Sequence, residues 1–323
     1  MPSKRIKNPK QKILILGARG MLGSVLCDTF SAQEVFAWDR KDLDICDEDA
    51  VKIKITQLAP KIIINAAAYT DVDGAEKNKS DAFRINSEAV RNLASAAFEV
   101  GAIFVHYSTD YIFSGTNPLG YKEDDKPGSV LPGRSGSREG GPQNMYGLSK
   151  LRGEEILQEL AKTGSGINPA LNGAGAKWYL IRTSWLYGPG RGGKNFVKTI
   201  YNLAKENKEL KIVNDQHGKP TYTKDLAQAT QDLIYKNFPS GIYHLTNETE
   251  TRGITWFEFA KEIIKLSHFT ASVIPTGSNT LDRPAKRPQF SLLVNSKFQA
   301  LPDWKKSLEE YIHDYLLSGK DTI

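Results

Sequence analysis

The feature that most constrains this chain is an apolar run followed by three spaced glycines near the amino terminus. Residues 12–16 read Lys-Ile-Leu-Ile-Leu, and an apolar pattern of helical period follows the glycines. This order predicts a strand, a tight turn and a helix. Glycines permit left-handed turn geometry, and the N–H groups at a helix N-terminus attract a diphosphate. The stretch therefore predicts a dinucleotide-binding unit, with Gly17, Arg19, Gly20, Met21, Leu22 and Gly23 at the cofactor.

A second predicted strand, residues 35–38, ends at Asp39, about twenty residues past the glycine turn. An acidic side chain at this distance can hold the ribose hydroxyls of NAD. Arg19 and Arg40 could instead grip the 2′-phosphate of NADP. We therefore expect the chain to use NADPH or NADH. Asp44 and Ile45, in the stretch that follows, are also assigned to the cofactor site.

Two further apolar runs, residues 61–65 and 102–107, predict the third and fourth strands. Small residues that leave room for a cofactor follow the third strand: Ala66, Ala67 and Ala68. The fourth strand ends at Tyr107, expected at the cofactor, and is followed by Ser108, Thr109 and Asp110. Ligands of open α/β folds bind at this carboxyl edge. The predicted fold class is α/β, a Rossmann-type doubly wound parallel sheet.

A phenol and an ammonium stand four residues apart in two places, Tyr146 with Lys150 and Tyr201 with Lys205. That spacing stacks the two side chains on one helix face. A neighbouring cation favours the phenolate, so the pKa of such a tyrosine is expected to fall from about 10 toward neutrality, as carbonyl reduction requires. Context favours the first pair, because a glycine- and proline-rich loop and the predicted N-cap Asn144 lead into it. The second lies in an ordinary amphipathic helix pattern.

Composition excludes several classes of protein. No apolar run in the 323 residues reaches the ~18 to 20 needed to cross a bilayer, so no membrane partner is expected. Residues 1–11 are basic without an apolar centre and are interpreted as a loose tail, which makes a cytoplasmic location the default. Cys27 and Cys46 give neither a disulfide framework nor metal-ligand spacing. None of the five histidines forms the His-x-x-x-His pair of a zinc site. The net charge of +6 lacks the aromatic-interleaved basic cluster of nucleic-acid binders, so no nucleic acid is expected.

The order of glycine turn, strand ending in Ser-Thr and Tyr-x-x-x-Lys resembles the short-chain dehydrogenase/reductase superfamily. In that resemblance Tyr146 is the general acid. Lys150 binds the nicotinamide ribose and lowers the pKa of the tyrosine, so both also count as cofactor-binding residues. Ser108 or Thr109 hydrogen-bonds the substrate carbonyl.

Four longer stretches, residues 65–76, 108–113, 182–188 and 215–221, resemble the dTDP-4-dehydrorhamnose reductase family. The C-terminal Arg287-Pro288-x-x-Ser291 also fits. The resemblance implies NAD(P)H-dependent reduction of the C4 ketone of dTDP-4-dehydro-6-deoxy-L-mannose to dTDP-L-rhamnose, for cell-surface polysaccharide biosynthesis. The expected partner is the dTDP-sugar, and a homodimer is a possible assembly. The substrate-binding residues are assigned as Thr109, Asp110, Trp185, Asn195 and Arg287; for Arg287 an exposed position or a structural salt bridge is an equal alternative.

The expected domains are an NAD(P)-binding domain of residues 12–183 with a returning segment near 222–247, and a smaller substrate-binding lobe of residues 184–221 and 248–317. Relatives that bind Mg²⁺ at a dimer contact use glutamates on the first helix, which this helix lacks, so no metal is expected. The loops 122–143 and 163–177 look long for the family, and the first leads directly to Tyr146. Two interpretations of this first loop are possible: it acts as a lid over the site, or it is a flexible excursion without a functional role.

Two alternative functions are also consistent with the sequence. One is reduction of another 4-keto nucleotide sugar, because stereochemistry depends on how the ring is held. The other is a non-catalytic, NADP-binding regulatory subunit of the methionine adenosyltransferase type, which shares the fold. A dehydratase is disfavoured because Tyr111 follows Thr-Asp where glutamate would be expected. Intact Tyr146, Lys150 and Thr109 favour an enzyme.

Overall fold

A computed structural model describes residues 10–128, 141–163, 177–190 and 195–320. Most of the predicted tail lies outside these residues, as do residues 129–140 and 164–176 of the two long loops. The strands are β1 Lys12–Leu16, β2 Glu34–Trp38, β3 Ile62–Asn65, β4 Ile103–Thr109, β5 Trp178–Thr183, β6 Leu186–Tyr187, β7 Glu209–Val213, β8 His217–Gly218, β9 Thr221–Tyr222, β10 Gly241–His244, β11 Ile254–Thr255 and β12 Ser272–Thr276. The helices are α1 Met21–Thr29, α2 Glu48–Leu58, α3 Val72–Lys77, α4 Lys79–Phe83, α5 Ala89–Glu99, α6 Met145–Thr163, α7 Phe196–Glu206, α8 Thr223–Tyr235, α9 Trp256–Leu266 and α10 Trp304–Tyr311.

The central sheet consists of six parallel strands in the order β10-β5-β4-β3-β1-β2. β1 lies between β2 and β3, so the strand order reverses at β1, the kind of point where open α/β sheets bind ligands. Leu16 lies opposite Asn65, and Asn65 opposite His106, which aligns the carboxyl ends at one edge. The predicted Rossmann-type parallel sheet is confirmed.

Helices cover both faces of this sheet because its buried strands are apolar on both sides. Ile13 and Ile15 of β1 pack on the face covered by α1 and α8. Leu14 and Leu16, which alternate with them, pack on the opposite face with α2, α5 and α6. This two-sided burial makes the arrangement doubly wound.

A smaller packed unit, here called the C-terminal lobe, has its own core from α7, α9, α10 and the short strands β6, β7 and β9. Its aromatic members include Tyr187, Tyr222 and Phe259, all fully buried. α9 begins with a capping box, in which Thr255 and Glu258 each bond the other's backbone N–H. No helix of the described residues is both long and apolar enough to cross a membrane.

Between α4 and α5 the chain stays helical but widens into a π-helical turn, Arg84–Glu88. The wider turn lets side chains of this segment bond to α6. Asn86 donates to Ser149 Oγ at 2.9 Å, and Ser87 donates to the Ser149 carbonyl at 2.8 Å. Gly153 is needed at the contact, because a Cβ there would lie 2.2 Å from the Asn86 carbonyl oxygen. The turn therefore docks against α6, which carries Tyr146 and Lys150.

Candidate active site

A cavity of about 1140 Å³ lies at the carboxyl edge of the central sheet, and its far wall is formed by the C-terminal lobe. Most of the predicted site residues line it: Gly17, Gly20, Met21, Leu22, Asp39, Arg40, Asp44, Ile45, Ala66, Ala67, Ala68, Tyr107, Ser108, Thr109, Asp110, Tyr146, Lys150 and Trp185. The predicted residues that do not are Arg19, Gly23, Asn195 and Arg287. The fold thus brings residues from most of the chain's length to one crevice.

The glycine turn forms one end of the cavity. Gly17 has φ +72°, and a Cβ at this position would lie 2.7 Å from the Ala67 nitrogen. Gly23 lies behind the turn, where a Cβ would come within 2.1 Å of the Gly17 carbonyl oxygen. Gly20 is the N-cap of α1 and supplies no side-chain cap, which leaves the first N–H groups of the helix to a ligand. The glycine turn and the first N–H groups of α1 are here called the cradle. Because its glycines carry no side chains and its N–H groups are open, the cradle fits a diphosphate, so these residues suit a nicotinamide dinucleotide.

Asp39 lies at the end of β2, as predicted, and forms an ion pair with Arg19. The distance from Arg19 Nε to Asp39 Oδ2 is 2.7 Å, and the arginine side chain is 70% exposed. A hydrogen bond from the Lys41 backbone holds the pKa of Asp39 below its usual value, and Arg19 adds to this effect. Arg40 lines the cavity beside them. An anionic and two cationic side chains therefore surround the expected ribose position.

Tyr146 lies in the first turn of α6, which Asn144 caps as predicted by accepting from the Gly147 N–H at 2.8 Å. Its ring meets that of Tyr111 edge to face, with centroids 6.0 Å apart. The expected low pKa was wrong. Burial raises the pKa of Tyr146 to about 12, although a hydrogen bond with Thr109 opposes this, and Asp110 raises it further.

Lys150 lies one turn along α6 and faces the same cavity, but its amine bonds to β4. Nζ donates to the Tyr107 carbonyl at 2.5 Å and lies 3.3 Å from His106 Nε2. Burial lowers the pKa of Lys150 to about 8, partly offset by Glu154. The spacing therefore placed both side chains on one face, as expected, whereas the stabilised phenolate is not found in this state of the protein.

Hydroxyl and carboxyl groups at the end of β4 face Tyr146. Thr109 Oγ1 donates to Asp110 Oδ1 at 2.9 Å. Burial raises the pKa of Asp110 to about 7, against the hydrogen bonds of Ser291 and Thr109. Ser108 Oγ is buried without a hydrogen-bond partner among the described residues. An unpaired buried hydroxyl is costly, so this one is available to a ligand.

Trp185 and Trp256 form a stacked pair in the opposite wall, with ring centroids 3.5 Å apart. Trp185 has φ +46°, a backbone conformation that is strained for a bulky residue and clusters at functional sites. Gly218 makes room for its indole, because a Cβ there would lie 2.3 Å from the ring. Trp256 was missed from the sequence, since its position at the start of a capped helix indicates only local structure.

Further cavity residues were given no individual role from the sequence. Thr183 ends β5 opposite Thr109, lines the cavity and has a buried hydroxyl with no partner among the described residues. It directly precedes Ser184, and two hydroxyl residues after a buried strand are the same signal that identified Ser108 and Thr109. Arg84 also lines the cavity, from the π-helical turn that the sequence did not predict.

Two residues assigned to the substrate bond elsewhere in this structure. Asn195 caps α7 and donates to the Gly188 carbonyl at 3.2 Å. Arg287 forms a two-pronged ion pair with Asp73, at 2.5 and 2.7 Å, which holds the pKa of Asp73 at about 2. The alternative of a structural salt bridge is therefore the one seen for Arg287.

The second tyrosine–lysine pair, Tyr201 with Lys205, lies outside the cavity. Tyr201 is buried in the C-terminal lobe against Phe269, and its hydroxyl reaches the Leu316 carbonyl at 3.4 Å. The Lys205 amine lies over its ring, 4.3 Å from the centroid. Both contacts are structural, and the two residues line no part of the described cavity.

Comparison with known proteins gives a consistent result. The family model "RmlD substrate binding domain" matches residues 11–317. The chain is 36% identical to dTDP-4-dehydrorhamnose reductase of Streptomyces griseus, over 94% of this chain and 93% of that protein. It is 34% identical to the spore coat polysaccharide biosynthesis protein SpsK of Bacillus subtilis, over 94% and 97%.

Solved structures agree with the sequence comparisons. The dTDP-4-dehydrorhamnose reductase of Bacillus anthracis, in complex with NADP, superposes with a TM-score of 0.82 at 35% identity, covering 95% of this chain and all of that one. UDP-glucose 4-epimerase of Thermus thermophilus, at 18% identity and a TM-score of 0.68, shares the fold.

Proposed function

The chain belongs to the dTDP-4-dehydrorhamnose reductase family, and we propose from this membership that it reduces the C4 ketone of dTDP-4-dehydro-6-deoxy-L-mannose to dTDP-L-rhamnose. It is an NAD(P)H-dependent oxidoreductase of nucleotide-sugar metabolism. One observation carries the substrate proposal. A single cavity is lined both by the glycine turn and by Tyr146, Thr109 and Lys150.

The nicotinamide cofactor supplies the hydride that reduces the ketone carbon. Tyr146 then gives its phenolic proton to the ketone oxygen. A raised pKa suits this role in the resting protein, because the phenol keeps its proton until negative charge develops on the substrate. The Thr109 hydroxyl donates to Asp110 in the protein without ligands, and by turning its single O–H it would hydrogen-bond the same ketone oxygen.

Lys150 supports the tyrosine in two ways. It is proposed to bind the nicotinamide ribose hydroxyls, and its charged form stabilises the tyrosinate left after proton transfer. A pKa of about 8 allows the amine to take up a proton near neutral pH. Ser108, whose buried hydroxyl has no protein partner in the described chain, is proposed as a further donor to the sugar.

Both cofactors are proposed to bind. Asp39 can accept from the ribose hydroxyls of NADH, whereas Arg19 and Arg40 can pair with the 2′-phosphate of NADPH. The Arg19–Asp39 ion pair would open in the NADPH complex, since the arginine is largely exposed and free to turn.

For the substrate, we propose contacts from Thr109, Asp110 and Trp185, whose side chains line the cavity. Asn195 and Arg287 are proposed to act indirectly, because each is held in protein bonds. The domain division given above is also kept as a proposal: the central sheet with the returning strand β10 holds the cofactor, and the C-terminal lobe holds the sugar nucleotide.

Several wider properties are proposals as well. The similarity to SpsK supports delivery of the product to a cell-surface polysaccharide. A cytoplasmic location and a homodimeric assembly are proposed on the family resemblance. Activity without a metal is proposed because α1 lacks the glutamates that hold Mg²⁺ in some relatives.

The test is to mix the purified protein with enzymatically generated dTDP-4-dehydro-6-deoxy-L-mannose, follow NADPH and NADH absorbance, and identify the product by NMR. We expect cofactor oxidation with formation of dTDP-L-rhamnose. A different product sugar would move the assignment to another 4-keto nucleotide sugar. Cofactor binding without oxidation of any such sugar would support the regulatory-subunit alternative.

A further inference from the structure

His106 is a buried histidine that the mechanism above does not use. It lies on β4, is 1% exposed, and stacks on Phe104 with centroids 6.4 Å apart. Its two ring nitrogens have separate partners: Nδ1 lies 3.1 Å from Asn65 Nδ2, and Nε2 lies 3.3 Å from Lys150 Nζ. The ring therefore bridges the end of β3 and the catalytic helix.

The direction of the Asn65 amide is fixed by the backbone. Asn65 Oδ1 accepts from the Ala67 N–H at 3.1 Å, so its Nδ2 must point toward His106. An amide nitrogen can only donate, and His106 Nδ1 must therefore accept. A neutral imidazole that accepts at Nδ1 carries its proton on Nε2.

That proton points at Lys150. An ammonium has three donors and no acceptor. The N–H groups of a charged Lys150 and the Nε2–H of His106 would therefore face each other with no acceptor between them. An uncharged amine satisfies every contact, because its lone pair accepts from Nε2–H while an N–H donates to the Tyr107 carbonyl. We propose that Asn65 and His106 are positioning residues that set the Nε2–H tautomer and thereby hold Lys150 as an uncharged amine in the protein without ligands.

Charging Lys150 then requires a coupled change. His106 must move its proton to Nδ1, and the Asn65 amide must rotate, giving up its bond from Ala67 N–H. Ala67 lines the cavity beside the glycine turn, so the rotation takes place next to the expected cofactor position. Protonation of Lys150 therefore costs free energy, and the binding of ligands in the cavity can offset that cost.

The other charged and titratable groups around Lys150 do not replace this control. Tyr146 precedes it by one turn of α6. Glu154 follows it by one turn, but that carboxylate is paired with Arg182. Asp110 and Arg84 line the same cavity. Burial lowers the pKa of His106 well below its usual value, so the imidazole is neutral. Burial also lowers the pKa of Lys150 to about 8, so the contact with His106 has only a small free-energy difference to overcome in holding the amine uncharged near neutral pH.

The direct test is long-range ¹H–¹⁵N NMR of the histidine rings in the intact, ligand-free protein, with the His106 signal identified by its loss in His106→Gln. We expect the Nε2–H tautomer. His244 is an internal control of opposite sense: the Arg182 guanidinium can only donate to its Nε2, so its proton must lie on Nδ1, facing the Val294 carbonyl. An Nδ1–H or doubly protonated His106 would overturn the proposal, and this result does not depend on which sugar the protein reduces.

The second test uses the pH dependence of kcat/KM for the cofactor, which reports groups of the free protein, and it rests on the proposed function. Asn65→Asp offers His106 a carboxylate, which favours Nδ1–H and so allows a charged Lys150. His106→Gln leaves an amide that can turn its oxygen to the amine. Both changes should raise the pKa of Lys150 in the free protein and move the alkaline limb of the kcat/KM profile upward by about one pH unit or more.

The control is Asn202→Asp, which adds the same charge on an exposed face of α7 and should leave the limb in place. Because two variants are used, loss of folding in one leaves the other to decide. A limb that stays in place in every folded variant would overturn the coupling. No turnover by the wild-type protein would instead count against the proposed function, while the NMR result stands on its own.

Discussion

Glu154 and Arg182 form an ion pair that is almost entirely buried, with 2.7 Å between Arg182 Nη2 and Glu154 Oε2. Glu154 lies on α6, one turn beyond Lys150, and Arg182 lies on β5. The guanidinium also contacts the ring of Phe113, 5.2 Å from the centroid. The pair therefore fixes the catalytic helix against the sheet.

Breaking this pair on one side should be costly. We expect Arg182→Met to lower the free energy of unfolding by about 3 to 5 kcal/mol, because it leaves a buried carboxylate without its partner. Adding Glu154→Gln should restore part of the loss, since the uncompensated charge is then gone. Urea denaturation followed by circular dichroism measures both. The exposed pair of Lys224 and Glu310, with side chains 40% and 45% exposed, gives a control, in which Lys224→Met should cost no more than about 1 kcal/mol. Equal losses in the two Lys/Arg→Met variants would contradict a special role for the buried pair.

Tyr146→Phe removes the proposed proton donor while keeping the ring that packs on Tyr111. We expect kcat to fall by about 10²-fold or more, with the Kd for NADPH nearly unchanged, because the cradle and Lys150 remain. Steady-state kinetics and fluorescence titration of NADPH measure the two effects. Tyr201→Phe is the control, since its hydroxyl lies outside the cavity, and its kcat should match the wild type. Retained turnover in Tyr146→Phe would exclude the phenol as the acid.

Gly17→Ala tests the cradle. Gly17 and Gly319 share φ +72°, but only at Gly17 would a Cβ collide with another segment. Both substitutions should carry a conformational cost of roughly 1 to 2 kcal/mol, and Gly17→Ala should in addition weaken cofactor binding severely. Thermal unfolding and NADPH titration separate these effects. Unaltered NADPH affinity in Gly17→Ala would show that the cofactor does not approach this turn.

Cofactor preference should respond to Arg19 and Asp39 in opposite directions. Arg19→Ala removes a charged partner of the 2′-phosphate and should weaken NADPH binding by about tenfold or more, with a smaller effect on NADH. Asp39→Asn removes a carboxylate that repels the phosphate, so the ratio of NADPH to NADH affinity should rise. Parallel titrations with both cofactors measure the ratio. Equal changes for the two cofactors in both variants would place the 2′-phosphate elsewhere.

Local chemistry made much of this fold predictable. The bounds of β1 agree with its apolar run, and the cap at Asn144 forms as its side chain predicts. Spacing of i and i+4 correctly put Tyr146 and Lys150 on one face. These features depend on residues close together in the chain.

The errors share a physical cause, which is that they depend on partners distant in the chain. The pKa of Tyr146 follows from burial rather than from its neighbour Lys150, and burial is a tertiary property. Asn86 and Ser87 of the π-helical turn bond to Ser149 of α6, 63 and 62 residues away. Arg287 pairs with Asp73, 214 residues away, at a position that sequence pattern alone could not choose.

Asp110 makes the stability of the protein depend on pH. Burial raises the pKa of its carboxyl from 3.8 to about 7. Below the unfolded value the group is protonated in both states and has no effect. As the pH rises from about 4 to 7, the unfolded chain ionises while the folded protein keeps its proton, so the free energy of unfolding falls.

Asp110→Asn removes this effect, because the amide does not ionise. The free energy of unfolding of the variant, relative to the wild type, should therefore rise between pH 4 and 7 by an amount on the order of a few kcal/mol. Urea denaturation at several pH values measures the difference, with Asp282→Asn as a control at an exposed position. If the difference were flat across this range, Asp110 would be ionised in the folded protein at acidic pH. The carboxylate would then have to be stabilised by the hydrogen bond from Thr109 and by the neighbouring Ser291 hydroxyl more strongly than burial destabilises it.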